Sequence, residues 1–132
     1  MTTKRSDLGL LVLRIGAGVL LMGHGWGKVQ DLFSESPTFP DPIGIGPVPS
    51  LALAAFAEFF CSLAVVLGVK VRWTAIPPLI TMLVAALIHH AGDDIGEREL
   101  PLLFATAFLA LAVLGGGRYG LESLFRRRRR RA

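Results

Sequence analysis

Cysteine is almost missing from this chain. The single Cys61 excludes an internal disulfide and any cysteine-rich metal centre. Charge is missing over long stretches. No Asp, Glu, Lys or Arg occurs from Trp73 to Gly92, nor from Leu100 to Gly117. Period-two alternation of apolar and polar residues is missing from the long apolar stretches, so a transmembrane β-barrel is not supported. There is no haem, flavin or iron–sulfur motif, so the chain encodes no electron source of its own.

What is present is apolar. The chain has 132 residues, enough for one domain, and 52% of them are hydrophobic. Mean hydropathy is +0.56. This excludes a disordered chain and argues against an ordinary soluble domain. Of the 14 basic residues, six form one run, Arg126 to Arg131, so the net charge of +4 belongs mostly to the tail.

A bilayer core about 30 Å thick needs about 20 apolar residues of helix. Four blocks have about that length, at 8–29, 50–69, 73–92 and 100–117. Proline placement fits helices: Pro77 and Pro78 lie in the first turns of the third block and bend it, and Pro101 opens the fourth. The fold class expected is all-α, a membrane four-helix bundle with four transmembrane helices. One domain then covers 1–125, and 126–132 is a basic cytoplasmic tail. Arg14 interrupts the first apolar run and no small-x-small cleavage site follows, so that run reads as a span rather than a signal peptide.

Basic residues set the orientation. Lys4, Arg5, Lys70, Arg72, Arg118 and Arg126 to Arg131 fall on one side, eleven of the fourteen. The other side holds Asp31, Glu35, Asp41, Asp93, Asp94, Glu97 and Glu99, with Arg98. Both termini are therefore expected in the cytoplasm (N-in/C-in). Trp26, Trp73 and Tyr119 fall at the interfaces. The outer loop, 30–49, carries five of the eight prolines together with Phe33, Phe39, Ile43, Ile45 and Val48. It reads either as a semi-rigid cap on the outer surface or as a plain extended connection. Leu121, Leu124 and Phe125 have the spacing of an interfacial helical turn. The arginine run follows a span directly and lacks interleaved aromatics. It is expected to bind the anionic headgroups of the lipid bilayer, not nucleic acid.

Charges inside the membrane are costly and normally partnered. Counting about 1.5 Å per residue from the cytoplasmic ends puts Arg14 about 10 Å deep and Glu58 about 17 Å deep. An Arg14–Glu58 pair is the expectation. His24 and His89 then lie about 25 Å deep, with His90 and Lys28 beyond. The polar groups form a column opening outward: Arg14, Glu58, His24 with His89 or His90, then Lys28. Glu58, Cys61 and Ser62 share a helix face. Gly16, Gly18, Gly23, Gly25 and Gly27 let helices or a ligand approach. The bland alternatives stay open: a structural ion pair, solvated interfacial histidines, an inert cysteine. His24, His89 and Glu58 have no diagnostic metal spacing, so no metal site is assigned.

Residues 13–28, LRIGAGVLLMGHGWGK, and 54–72, AAFAEFFCSLAVVLGVKVR, with the Pro/Gly-rich loop between and late histidines in the third block, resemble the DoxX family. The resemblance runs from Leu8 to Leu124. It implies a bacterial or archaeal inner-membrane protein with redox associations, similar to the small subunit of a thiosulfate:quinone oxidoreductase. By matching position, Arg14, His24, Lys28, Glu58 and His89 would carry its site.

The function expected is a redox-associated subunit binding a quinone-like ligand in a polar intramembrane pocket. Glu58, Arg14, His24 and His89 are the catalytic candidates. Lys28, Trp26, Cys61 and His90 are the ligand-binding ones. The sequence leaves open whether the chain is an enzyme at all. A homo-oligomer or a complex with a redox subunit is expected. The alternatives are a non-catalytic scaffold that recruits redox or stress-response partners, and a small oligomeric transporter.

Overall fold

The computed structural model describes residues 3–35, 43–89, 92 and 94–131, and it is all-helical over them. Helix α1 is Lys4–Leu32. Thr3 caps it, its side chain accepting the Ser6 N–H at 3.1 Å. Helix α2 is Pro47–Leu67, entered through Gly46 at φ +107° with Pro47 and Pro49 in its first turn. It stops at Gly68, whose φ of +77° is left-handed and ends the helix. After a two-residue turn α3 begins at Val71, breaks at Ala75 just before the proline pair, and resumes over Ile76–Val84. Helix α4 is Ile95–Leu114 and ends at Gly115, φ +81°. A fifth helix, α5, is Leu121–Arg131.

The apolar blocks are helices, with shifted ends. Helix α1 runs four residues beyond the expected start. Helix α4 starts at Ile95, five residues before the expected 100, so Pro101 lies inside the helix rather than opening it. The arginine run forms the second half of α5. Of the expected outer loop, 30–49, residues 36–42 lie outside the described residues, and its ends are helical: 30–32 belong to α1 and 47–49 to α2.

Helices α1, α2 and α3 are long and apolar enough to cross a membrane. The first turns of α4 carry Glu97, Arg98 and Glu99, leaving an uncharged part, 100–114, about 22 Å long. Helix α1 packs along α2, α3 packs on α4, and contacts of α2 with α3 and of α1 with α4 close the set. The core is a single cluster that includes Leu10, Ala17, Leu21, Val65, Met82, Phe104, Phe108 and Leu111. The outside is as apolar as the inside. Val12, Val19, Leu20, Phe56, Phe60, Leu103 and Val113 are all more than half exposed. A helix apolar all round belongs in lipid.

Two stretches widen into π-helix, Phe56–Cys61 in α2 and Ala85–His89 in α3. Such wide turns often mark functional sites. Glu58 sits on the first and Ala85 opens the second. Both residues face the same cavity.

Candidate functional site: a cavity at one end of the bundle

The register of α1 against α2 builds the site. A Cβ at Gly18 would meet Val66, and one at Gly25 would stand 2.7 Å from the Glu58 carbonyl carbon. Only glycine permits this approach. The two helices are antiparallel, with Gly25 level with Glu58 and Arg14 level with the end of α2. Gly16, Gly23 and Gly27 have nothing within 4 Å, so they do not serve the helix contact.

This register overturns the expected Arg14–Glu58 pair. Both residues are 1% exposed, but they are buried in different places. Arg14 and Gly25 are eleven residues apart on α1, about 16 Å. The depth count assumed that α1 and α2 end at the same level. Instead α1, 29 residues and about 43 Å long, overhangs the end of α2 by more than two turns.

The Arg14 guanidinium is spent on backbone carbonyls. Nε donates to Val65 O at 3.1 Å, Nη1 to Gly116 O at 2.7 Å, and Nη2 to Val66 O at 3.1 Å and Tyr119 O at 3.2 Å. Val65 and Val66 stand in the last turn of α2, where carbonyls lack intrahelical partners and a cation is favoured. Gly68 makes room, since a Cβ there would be 3.1 Å from the guanidinium carbon. Asp7, which the sequence reading passed over, is also buried. Its Oδ1 accepts the Arg118 N–H at 3.2 Å. This end of the bundle is a knot of α1, the end of α2 and the loop 115–120.

At the opposite end lies a cavity of about 500 Å³. His24 and Lys28 line it from α1, Ser50 and Glu58 from α2, Thr81 from α3 and Phe104 from α4. Most of the remaining wall is aliphatic, including Leu21, Leu53, Ile80, Met82 and Leu100. Glu58 Oε2 is ion-paired and hydrogen-bonded to Lys28 Nζ; the carboxylate side chain is 2% exposed and the lysine 29%. Lys28 stands one turn beyond Glu58 and reaches back to it. His24 meets the Phe104 ring edge-on, with centroids 6.0 Å apart. Arg98, from the first turn of α4, donates to Ala86 O at 2.9 Å and ties that helix to the wide turn of α3.

The structure thus brings together three of the expected site residues: His24, Lys28 and Glu58. Arg14 is in the knot. Trp26 is half-exposed and packs on Phe59, with centroids 5.6 Å apart. Cys61 is buried outside the cavity wall. The His89 side chain and His90 lie outside the described residues. Ser50 and Thr81 were not foreseen, because a hydroxyl in an apolar run carries no signal of its orientation. Among the described residues, no three His, Cys, Asp or Glu side chains form a metal-ligand group.

Such a cavity can take a molecule with an apolar body and a polar head. Its polar wall offers an acidic group, an ammonium, an imidazole and two hydroxyls.

Comparison with known proteins places this arrangement. The DoxX family model matches residues 9–91, a stretch holding Arg14, His24, Lys28 and Glu58. The inner membrane protein YqjF of Escherichia coli (strain K12) is 30% identical over 129 residues, covering 95% of this chain and 98% of the relative. No solved structure matches. The chain is a multi-pass protein of the inner membrane, as the apolar helices and this relative together indicate. With the family's sequence pattern running through α1, α2 and α3, three of the four helices that line the cavity, the chain belongs to the DoxX family.

Proposed function

We propose that this protein binds a small lipid-soluble molecule of quinone type in the cavity, as the membrane subunit of a redox complex. The observation that carries the reading is the buried Glu58 carboxylate, paired with Lys28 in the wall of an otherwise apolar cavity. A buried ion pair is weak evidence of stability and costs desolvation. Ionisable groups held within a membrane bundle are usually functional. The volume of about 500 Å³ falls within the range of small-molecule sites. Leu53, Ile80 and Leu100 border the cavity and are about half exposed, which supports entry from the lipid.

A quinone carries two electrons and two protons between membrane complexes. Lys28 and His24 are placed to donate hydrogen bonds to a carbonyl oxygen in the cavity, and Glu58 to exchange a proton with it. Phe104 and the aliphatic wall hold the ring and exclude water. Electrons come from a partner subunit, since the chain has no motif for an electron-carrying group.

The same reading includes four spans with both termini in the cytoplasm. The Arg14 knot is then at the cytoplasmic end and the cavity in the outer half of the bilayer.

The test is binding of a quinone analogue to the purified protein. Wild type is expected to bind, and Glu58→Gln to bind at least about tenfold more weakly at unchanged helicity, a loss of about 1.4 kcal/mol. Absence of binding to the wild type, alone and in its native complex, overturns the proposal. So does equal binding by the variant.

A further inference from the structure

An open recess lies along α5, outside the membrane bundle. It measures about 460 Å³ and is lined by Arg118, Ser123, Arg126, Arg127, Arg130 and Arg131. Five arginines surround one space. Among the described residues, Glu122 is the carboxylate ion-paired with these arginines, on Arg126 at 3.0 Å. Among the described residues, no carboxylate side chain pairs with Arg118, Arg127, Arg130 or Arg131 in an ion bridge.

The recess is bordered by exposed arginines carried on a fixed backbone. At about 100° per residue, Ser123, Arg126, Arg127 and Arg130 fall on one side of α5. Arg128 and Arg129 do not line the recess, although they belong to the same run. Arg118 comes from the preceding loop and is held there twice. Its N–H donates to the buried Asp7, and Ser123 Oγ donates to Gly117 O at 3.0 Å, fastening the loop to the helix. The N-terminus of α5 is fixed in turn: Lys70 N–H donates to Glu122 Oε2 at 2.8 Å, and Glu122 N–H to Gly68 O at 3.3 Å. The loop, the helix and the knot form one fixed frame, which lowers the cost of ordering a bound ligand.

We propose that this recess binds a group carrying two phosphates, and that the source is a diphosphate-bearing anionic lipid. Guanidinium forks match phosphate oxygens in pairs. Five arginines against one carboxylate leave an excess of about four charges, enough to give each of two phosphates its own guanidinium partners. The lipid source follows from the other side of α5. Leu121, Leu124 and Phe125 are exposed there, six to ten residues after the end of α4. A helix of this kind sinks its apolar side about 5–10 Å into the acyl boundary, which leaves its polar side at the phosphate layer.

The test uses the full-length protein and two variants of equal charge. Arg127→Gln with Arg130→Gln removes recess arginines. Arg128→Gln with Arg129→Gln removes arginines of the same run outside it. The probes are cardiolipin, phosphatidylglycerol at equal phosphate concentration, and inorganic pyrophosphate, with binding read by native mass spectrometry or tryptophan fluorescence. The expected result is cardiolipin bound tightest by wild type, weakened about tenfold or more in the recess variant and less than about threefold in the other. Equal weakening in both variants means diffuse attraction and overturns the site. Phosphatidylglycerol binding as tightly as cardiolipin overturns the two-phosphate requirement. Pyrophosphate displacing cardiolipin at comparable concentration overturns the lipid source. Unchanged circular dichroism in both variants keeps a folding defect out of the comparison.

Discussion

Two arginine and glutamate side chains that look equivalent in the sequence, both single charges in an apolar helix, have opposite jobs. Arg14 places four hydrogen bonds on carbonyls of two segments, the end of α2 and the loop 115–120. Glu58 places its carboxylate at a cavity wall. Arg14→Lys keeps the charge but loses the planar fork, and leaves buried carbonyls unsatisfied. It is expected to destabilise the protein by about 3 kcal/mol, measured by unfolding in mixed micelles. The molecules that remain folded are expected to bind the quinone analogue as wild type does. Loss of binding at full stability would instead put Arg14 in the site. Both residues stand out in the sequence, since each is a charge in an apolar run. Their partners were not legible, because a partner depends on how far one helix slides along another. Asp7 was passed over because it lies among the charged residues of the N-terminus, where burial leaves no mark on composition.

At the scale of the element, helix existence was legible and helix register was not. Long uncharged runs announce helices, and Gly68 and Gly115 end two of them where the chain turns left-handed. Register is set by which glycines are pressed against a neighbour. Six glycines of α1 have the same composition signal, yet among them Gly18 and Gly25, seven residues apart, touch α2. Gly25→Ala would put a methyl 2.7 Å from the Glu58 carbonyl carbon and 2.9 Å from its Cβ. The expected cost is about 1–3 kcal/mol of overpacking, with weaker binding of the quinone analogue as Glu58 is displaced. Gly23→Ala meets open space and is expected to change stability by less than about 0.5 kcal/mol. The two unfolding curves, side by side, check the register. Helix α5 was legible only as a turn and a charge run, because six consecutive arginines repel one another in isolation. In the structure its first turn is fastened to Gly68 and Lys70.

At the scale of the whole molecule, the two ends of the bundle differ in chemistry. One is closed by hydrogen bonds to Arg14 and Asp7, and the other holds the cavity. The proposed orientation has a direct check. Lys4→Cys and Glu35→Cys, each in a Cys61→Ala background, place single thiols on exposed residues at opposite ends of α1. An impermeant thiol reagent added to intact cells is expected to label the Glu35 variant at once, and the Lys4 variant only after permeabilisation. The reverse pattern would invert the bundle and move the cavity to the cytoplasmic leaflet.

The clamp around Arg14 also imposes an order on biogenesis. Its acceptors lie 51, 52, 102 and 105 residues further along the chain. The ribosome therefore delivers the donor long before the last acceptors exist. While α1 is the only helix inserted, the guanidinium must stay near the water interface or be sheltered by the insertion machinery. Helix α2 supplies two carbonyls, and the clamp is completed only when the loop after α4 emerges. Until then the clamp on the first helix is half made, with two of its four acceptors in place.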